Sequence, residues 1–234
     1  DITFIRCYMD PIMQKTGLTP DQKLRKAMYD PLPECESDPA SVSILGSDFA
    51  LDETSDISRI LKKNGYVFRE LPKCRNWKEY QELGSSELFI CCYPPGRYGS
   101  EAQAERLGRK YLYLPACFGY EEITQHLKEL TDILGLPMID SEKEILDCEE
   151  ALKQARKEIG DMPIAIDYLF HPRPLGLARL LLSHGFSVEK VYLDSISPEE
   201  EGDFQWLREH APELSLVATV QVKMRVLSRS CEQE

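Results

Sequence analysis

Eight cysteines occur in this 234-residue chain, yet there is no CxxC pair and no zinc-finger spacing. They are Cys7, Cys35, Cys74, Cys91, Cys92, Cys117, Cys148 and Cys231. Spread this thinly, they read as cytosolic thiols rather than a disulfide framework, so a cytoplasmic protein is expected. Any metal site then has to be assembled by the fold or by a partner chain. The dinucleotide fingerprint is also missing. The first βα turn, Leu45-Gly46-Ser47-Asp48-Phe49-Ala50, has a single glycine, and Asp48 would repel phosphate, so neither NAD nor FAD is expected. A P-loop, a nucleophile elbow and an HExxH pair are absent too, and no catalytic residue is assigned. No apolar stretch approaches the ~20 residues that cross a bilayer, so no membrane association is expected. The chain opens at Asp1 without a charged region and apolar core, which argues against a signal peptide; the missing Met fits a trimmed or excised chain. Positive charge is scarce: 28 Lys and Arg against 40 Asp and Glu leave a net charge of −12. Phosphate contacts need clustered Lys and Arg, so no nucleic-acid partner is expected. The acidity could attract a basic partner, though it more often serves solubility.

Apolar residues make up 42% of the chain and charged residues 29%, the balance of a soluble globular protein of one large or two small domains. Short β-branched or aromatic runs alternate with helical patterns. Strands are expected at Val42 to Leu45, Tyr66 to Leu71, Glu87 to Cys92 and Tyr111 to Leu114. The helices between and after them run over Glu53 to Lys63, from Asn76 as cap to Leu83, over Ser100 to Leu107, and over Tyr120 to Leu134. The Tyr120 helix should bury Ile123, Leu127, Leu130 and Leu134. Ser141 to Ile159 reads as a long charged helix opened by a capping box of Ser141 and Glu144. The alternation then resumes with strand Pro163 to Asp167, helix Leu175 to His184, strand Val188 to Leu193, helix Pro198 to His210 and strand Leu214 to Val217.

Repeated βα units mean parallel sheets covered by helices. The expected architecture is α/β, two Rossmann-like parallel βα sheets joined by a long helix. Residues 1–40 form an extended and helical N-terminal segment, with a helix from Pro20 to Tyr29 and prolines at Asp10-Pro11, Asp30-Pro31 and Leu32-Pro33. This segment is expected to pack on something outside the two sheets. Residues 41–138 form the first Rossmann-like domain, 139–160 the connecting helix, and 161–234 a second Rossmann-like domain that need not be complete.

The chemistry concentrates at strand ends. The run Glu87 to Tyr93 stops at a cysteine pair and opens into Pro94-Pro95-Gly96-Arg97-Tyr98. In an open parallel sheet, ligands bind beyond the carboxyl ends of the strands, and a Cys92 thiolate there could hold a soft metal or an iron–sulfur cluster. The alternative is that Cys91 and Cys92 are small hydrophobes finishing a strand. The loop from Tyr168 to Gly176 carries His171 and Arg173, with a proline on each side of Arg173 and a helix amino terminus behind it. Arg173 could grip a carboxylate or phosphate there, or be a solvated side chain before an ordinary first-turn proline, Pro174. Cys117 also leaves a strand end. His126, His184 and His210 read as surface residues, and His171 alone lies at a strand end, where a structural role competes with a functional one.

Taken together, Ser43 to Gly46 with Ser58 to Leu61, Leu88 to Tyr93 with Tyr98, Lys110 to Pro115 with Phe118 and Gly119, and Phe170 to Arg173 with Ala178 and Gly185 resemble nitrogenase component 1 and its nitrogenase-like relatives. The resemblance begins near Ser41. It implies that Cys92 matches the cysteine capping the active-site cofactor, and that Tyr98, His171 and Arg173 lie around the cofactor pocket; Cys117, at its own strand end, could face the same crevice as Cys92. It implies an oxidoreductase subunit that holds an iron–sulfur-type metallocluster or reducible ligand in an inter-domain crevice. Its partners would be a sister component 1 subunit and a separate ATP-dependent iron–sulfur reductase. Pro94 stands where the nitrogenase α chain has an arginine, the first-domain cluster cysteines have no match, and no histidine ligand for the cofactor's far end is found. The Pro94 departure favours a nitrogenase-like paralogue, a cofactor-assembly scaffold or a tetrapyrrole-type reductase subunit, and the fragment alone is expected to be inactive. The alternative, from another class, is a non-enzymatic doubly wound module that binds a small anionic ligand or a partner subunit, as a cofactor-assembly scaffold would.

Overall fold

A computed structural model describes residues 4–6 and 17–219, so Asp10-Pro11, Cys7 and Cys231 lie outside the described residues. The chain divides into two compact units. The first comprises Asp1–Ala116 and His126–Met138, the second Cys117–Gln125 and Ile139–Glu234.

In the first unit, β1 (Asp38–Leu45), β2 (Val67–Glu70), β3 (Ser86–Cys91) and β4 (Lys110–Tyr113) form a parallel sheet in the order β2-β1-β3-β4. The central strands are buried on both faces, which is why β1 and β3 read as near-continuous apolar runs. Val42 lies opposite both Phe68 and Leu88, and Leu45 opposite Cys91. On one face, Val42, Ile44, Leu88 and Ile90 pack with Ile60 and Leu61 of α2 (Asp56–Lys63) and Leu130 of α5 (Tyr120–Leu134). On the other, Leu45 and Phe89 pack with Tyr29 of α1 (Pro20–Tyr29), Tyr80 of α3 (Trp77–Glu82), and Ala104 and Leu107 of α4 (Arg97–Leu107). Each fully buried side chain of this kind contributes about 1.5–3 kcal/mol relative to exposure. The expectation that the N-terminal segment packs outside the two sheets is therefore corrected: α1 covers a face of the first sheet. Thr19 and Gln22 form a reciprocal capping box that starts α1.

In the second unit, β5 (Ile164–Asp167), β6 (Val188–Leu193) and β7 (Ser215–Ala218) form a parallel sheet in the order β5-β6-β7. Ile166, Val191 and Leu193 pack with Leu175 and Ala178 of α7 (Pro174–Ser183) and Leu207 of α8 (Glu201–His210). Helix α8 begins three residues later than expected, after a 3-10 turn over Pro198–Glu200. The long helix α6 (Glu142–Ile159) has no buried residue, and its expected capping box does not form. Ser141 sits at φ −113°, ψ 10°, outside the extended region that aims an N-cap side chain, and Asp140 accepts the Glu142 N–H instead, at 3.0 Å. None of the helices among the described residues is long and apolar enough to cross a membrane.

The loops leaving β1 and β3 meet backbone to backbone. A Cβ added at Gly96 would lie 2.3 Å from the Gly46 Cα, and Gly46 itself has φ +87°. Rigid backbone cannot yield as a side chain can. Gly96→Ala is therefore expected to cost about 1–3 kcal/mol of stability, read from the urea unfolding midpoint; an unchanged midpoint would refute this contact.

Candidate functional site

Candidate groups gather at two places, one in each unit. In the first unit the chain order reverses between β1 and β3, the position where open α/β sheets bind ligands. That position is filled by α1. Arg25 donates to the Gly46 carbonyl at 2.9 Å and to Asp48 at 2.7 Å, and it lies over the Tyr93 ring at 4.7 Å. The Tyr29 hydroxyl accepts the Gly46 N–H at 2.8 Å. Asp48, expected to repel phosphate, is thus paired within the chain.

Side chains alternate between the faces of a strand, and this alternation separates the two cysteines. Cys91 follows Phe89 onto the α1 and α4 face. There its thiol donates to the Tyr93 carbonyl at 3.3 Å and lies beside Ser100 and Tyr111. Cys92 continues the Leu88 and Ile90 row and packs against the apolar cluster under α2 and α5. Burial pushes its thiol up to about 12, and Cys91 and Glu70 add to the penalty on a thiolate. Tyr98, in the first turn of α4, is exposed.

The second unit brings Arg173, His171 and Cys117 together. Arg173 is the N-cap residue of α7 and only 3% exposed. Its Nη1 donates to Glu122 at 2.6 Å, and its Nη2 donates to the Glu199 carbonyl at 2.8 Å and to Asp203 at 3.1 Å. Asp203 also accepts from Arg179 at 3.1 Å. The amino terminus of α7 is served by Glu200, whose carboxylate accepts the Leu175 N–H at 2.7 Å. Burial raises the Glu200 carboxyl above its ordinary range, against the pull of the Leu175 and Gly176 N–H groups. The two anion-gripping features expected here, the arginine and the helix end, therefore hold the protein's own carboxylates. Pro174 takes the first helical position, but Arg173 is no solvated side chain. Gly176 lets the packing close, since a Cβ there would come within 3.1 Å of Asp203 and 3.3 Å of Phe118.

His171 accepts the Arg173 backbone N–H at Nδ1 over 3.0 Å and packs tilted against the Phe118 ring at 4.7 Å. Burial, with the Arg173 charge, lowers its basicity, so the ring is neutral at neutral pH and carries its proton on Nε2. The Cys117 thiol is pushed up to about 12 by burial and by the Glu122 and Asp203 charges. A cleft of about 300 Å³ opens beside this network, lined by Phe118, Tyr120, Glu122, Arg173, Arg179 and His184 among others.

A cluster site needs several thiolate or imidazole donors facing one point. Among the described residues no three His, Cys, Asp or Glu side chains are placed to hold a metal ion. Both site cysteines are protonated at neutral pH, and His171 presents a donor rather than a lone pair at Nε2. The described residues alone do not make a cage for a cluster; among them the candidate contact is the single thiol of Cys92. The groups that organise the second-unit site, Glu122, Glu200 and Asp203, escape sequence reasoning because they lie 51, 25 and 30 residues from their partners. The only local signal is Ser197 three residues before Glu200, at the turn that starts α8.

The profile of a family described as nitrogenase component 1 type oxidoreductase matches residues 19–230. The solved structure of nitrogenase Cp1 at pH 6.5 is similar to this chain with a TM-score of 0.58 and 10% identity, covering 87% of this chain and 49% of its own. Nitrogenase Cp1 at pH 5 is similar with a TM-score of 0.50 and 14% identity, covering 82% of this chain and 43% of its own. The chain thus spans about half the length of these solved chains, and at such identity the likeness speaks for the fold. No curated protein sequence matches the chain.

Two outcomes are expected. Arg173→Met leaves Glu122 and Asp203 without their shared cation and costs about 3–5 kcal/mol of stability in urea unfolding, whereas a loss under about 1 kcal/mol would mark a surface-type pairing. In iodoacetamide labelling of the folded protein, the exposed Cys35 and Cys148 react first, and Cys91 and Cys92 react only after unfolding. Early labelling of Cys92, read by peptide mass spectrometry, would show its thiol to be available.

Proposed function

The chain belongs to the nitrogenase component 1 type oxidoreductase family, and from that premise we propose that it forms one wall of a larger cytoplasmic oxidoreductase subunit. In this reading the complete assembly pairs it with a sister component 1 subunit. The assembly holds a metallocluster of iron–sulfur type, or another reducible ligand, in a crevice. Electrons arrive from a separate ATP-driven iron–sulfur reductase. The observation that carries the reading is the family match across residues 19–230, supported by two all-parallel sheets of βα units.

When bound, the cluster or ligand supplies the electron-accepting chemistry; this chain supplies burial, one thiol and one oriented donor. Cys92 is the candidate contact to the metal, and its proton would have to leave against burial, Cys91 and Glu70, which only a strong positive charge at the sulfur achieves. Arg173 works as a positioning residue. Held by Glu122 and Asp203, it fixes the loop and keeps the His171 Nδ1 engaged, so the Nε2 proton is free to meet an acceptor on a bound ligand. The cost of ionising Cys92 favours a second reading, a metal-free module that binds a partner subunit as an assembly scaffold.

Anaerobic reconstitution with iron and sulfide separates the two. Iron content and visible absorption are measured for the wild type and Cys92→Ser. Iron held by the wild type and lost in the variant supports a Cys92 ligand. No iron in either, with both folded by circular dichroism, sinks Cys92 as a ligand within this chain and leaves the metal-free module.

A further inference from the structure

Helix α6 is the longest helix among the described residues, and none of its side chains is fully buried. Over its 18 residues only one face, with Ile145, Leu152 and Ala155, is half-buried, so polar contacts carry much of what holds it. Arg156 donates through Nε to the Gly185 carbonyl at 2.6 Å and pairs with Asp161 at 2.7 Å. Two turns earlier, Glu149 meets two groups at once: the Tyr120 hydroxyl at 2.9 Å and the His184 Nε2 at 3.0 Å. The other ring nitrogen of His184, Nδ1, lies 2.7 Å from the Leu180 carbonyl.

Both nitrogens of His184 therefore face acceptors, a carboxylate on one side and a carbonyl on the other. A neutral imidazole has one N–H and one lone pair. Whichever tautomer it adopts, one lone pair is pressed against an oxygen at 2.7 or 3.0 Å. Only the imidazolium donates to both. We propose that His184 and Glu149 form a pH-operated clasp that fastens α6 to α7 when the ring is protonated and loosens it when the ring is neutral.

The step is the exchange of one proton between His184 Nε2 or Nδ1 and solvent. The charged and titratable groups around it come from each element packed there. From α6 they are Glu149, the Lys153 charge acting on it, Arg156 against Gly185, and Cys148. The first turn of α5 contributes Tyr120, and the loop after α6 contributes Asp161. Arg179 and Glu122 line the same cleft as His184 and Tyr120. The Leu180 carbonyl, and then Glu149, raise His184 above its ordinary 6.5 against the opposing effect of burial. The Glu149 carboxyl is lowered, first by His184 and then by Tyr120. A group whose folded value is raised stabilises fully below its unfolded value and loses that contribution as pH rises through the folded one. The clasp is thus closed below about pH 6.5 and opens above it, and on the acid side it persists until Glu149 protonates below its ordinary 4.5.

The test is hydrogen–deuterium exchange of the α6 amides from about pH 5.5 to about pH 8.5, corrected for intrinsic rates, beside an NMR titration of the His184 ring. In the wild type, α6 protection should fall as pH rises, by about tenfold for each unit by which the ring titrates above 6.5. His184→Gln and Glu149→Gln should each abolish that fall, while protection in β1 and β3 stays constant. A pH-independent α6 in the wild type, a fall retained in His184→Gln, or a ring titrating at or below 6.5 would each overturn the clasp. The two wild-type measurements decide the matter even if both variants fail to fold.

Discussion

A guanidinium almost wholly shut off from water organises the second unit. An unpaired buried charge costs several kcal/mol, so every element touching Arg173 is arranged to keep it paired. Glu122 reaches it from the start of α5, Asp203 from α8, and the Glu199 carbonyl from the turn before α8. Because Asp203 is shared with Arg179 and Glu200 caps the helix that Arg173 begins, the site is a closed circuit of internal charges. An incoming anion would have to displace a carboxylate already in place. That shifts weight away from an open anion receptor and towards Arg173 as the bolt that sets a loop and orients the His171 ring.

The first unit obeys a different constraint, the two-residue period of a strand. Adjacent residues along β3 and just past its end cannot serve the same face, so Cys91 is committed to the α1 and α4 side and Cys92 to the α2 and α5 side. The vicinal pair is thereby two unrelated thiols, each surrounded by different neighbours. Meanwhile α1 brings Arg25 and Tyr29 onto the loop after β1, so the reversal point of this sheet is occupied by the chain's own polar groups.

Much of this architecture was legible in the sequence, because it rests on local periodicity and local punctuation. Helices α1 and α5 and strand β6 run as their patterns indicate, and the side-chain oxygen of Asn76, the cap of α3, accepts the Glu79 N–H as the residue type predicts. What failed was of two kinds. The Ser141 capping box needs an extended Ser141, and backbone angles at a helix entry are not written in residue identity. The carboxylates that pair Arg173 lie far along the chain, and His184, read as a surface residue, acquires its partner from a helix 35 residues away. Local rules cannot see such pairs. The side on which Cys92 lies, by contrast, could have been read by continuing the alternation from Leu88 and Ile90.

The contact between Gly46 and Gly96 joins two loops that are fifty residues apart at the point where the sheet's winding reverses. Neither position has room for a carbon beyond the backbone, so the two behave as a single genetic locus. Once a substitution at one has pushed the loops apart, a second at the other has little left to disrupt, and the two losses would fall well short of adding. Drift in this protein is therefore coupled: neither loop can change length or composition here without the other's consent.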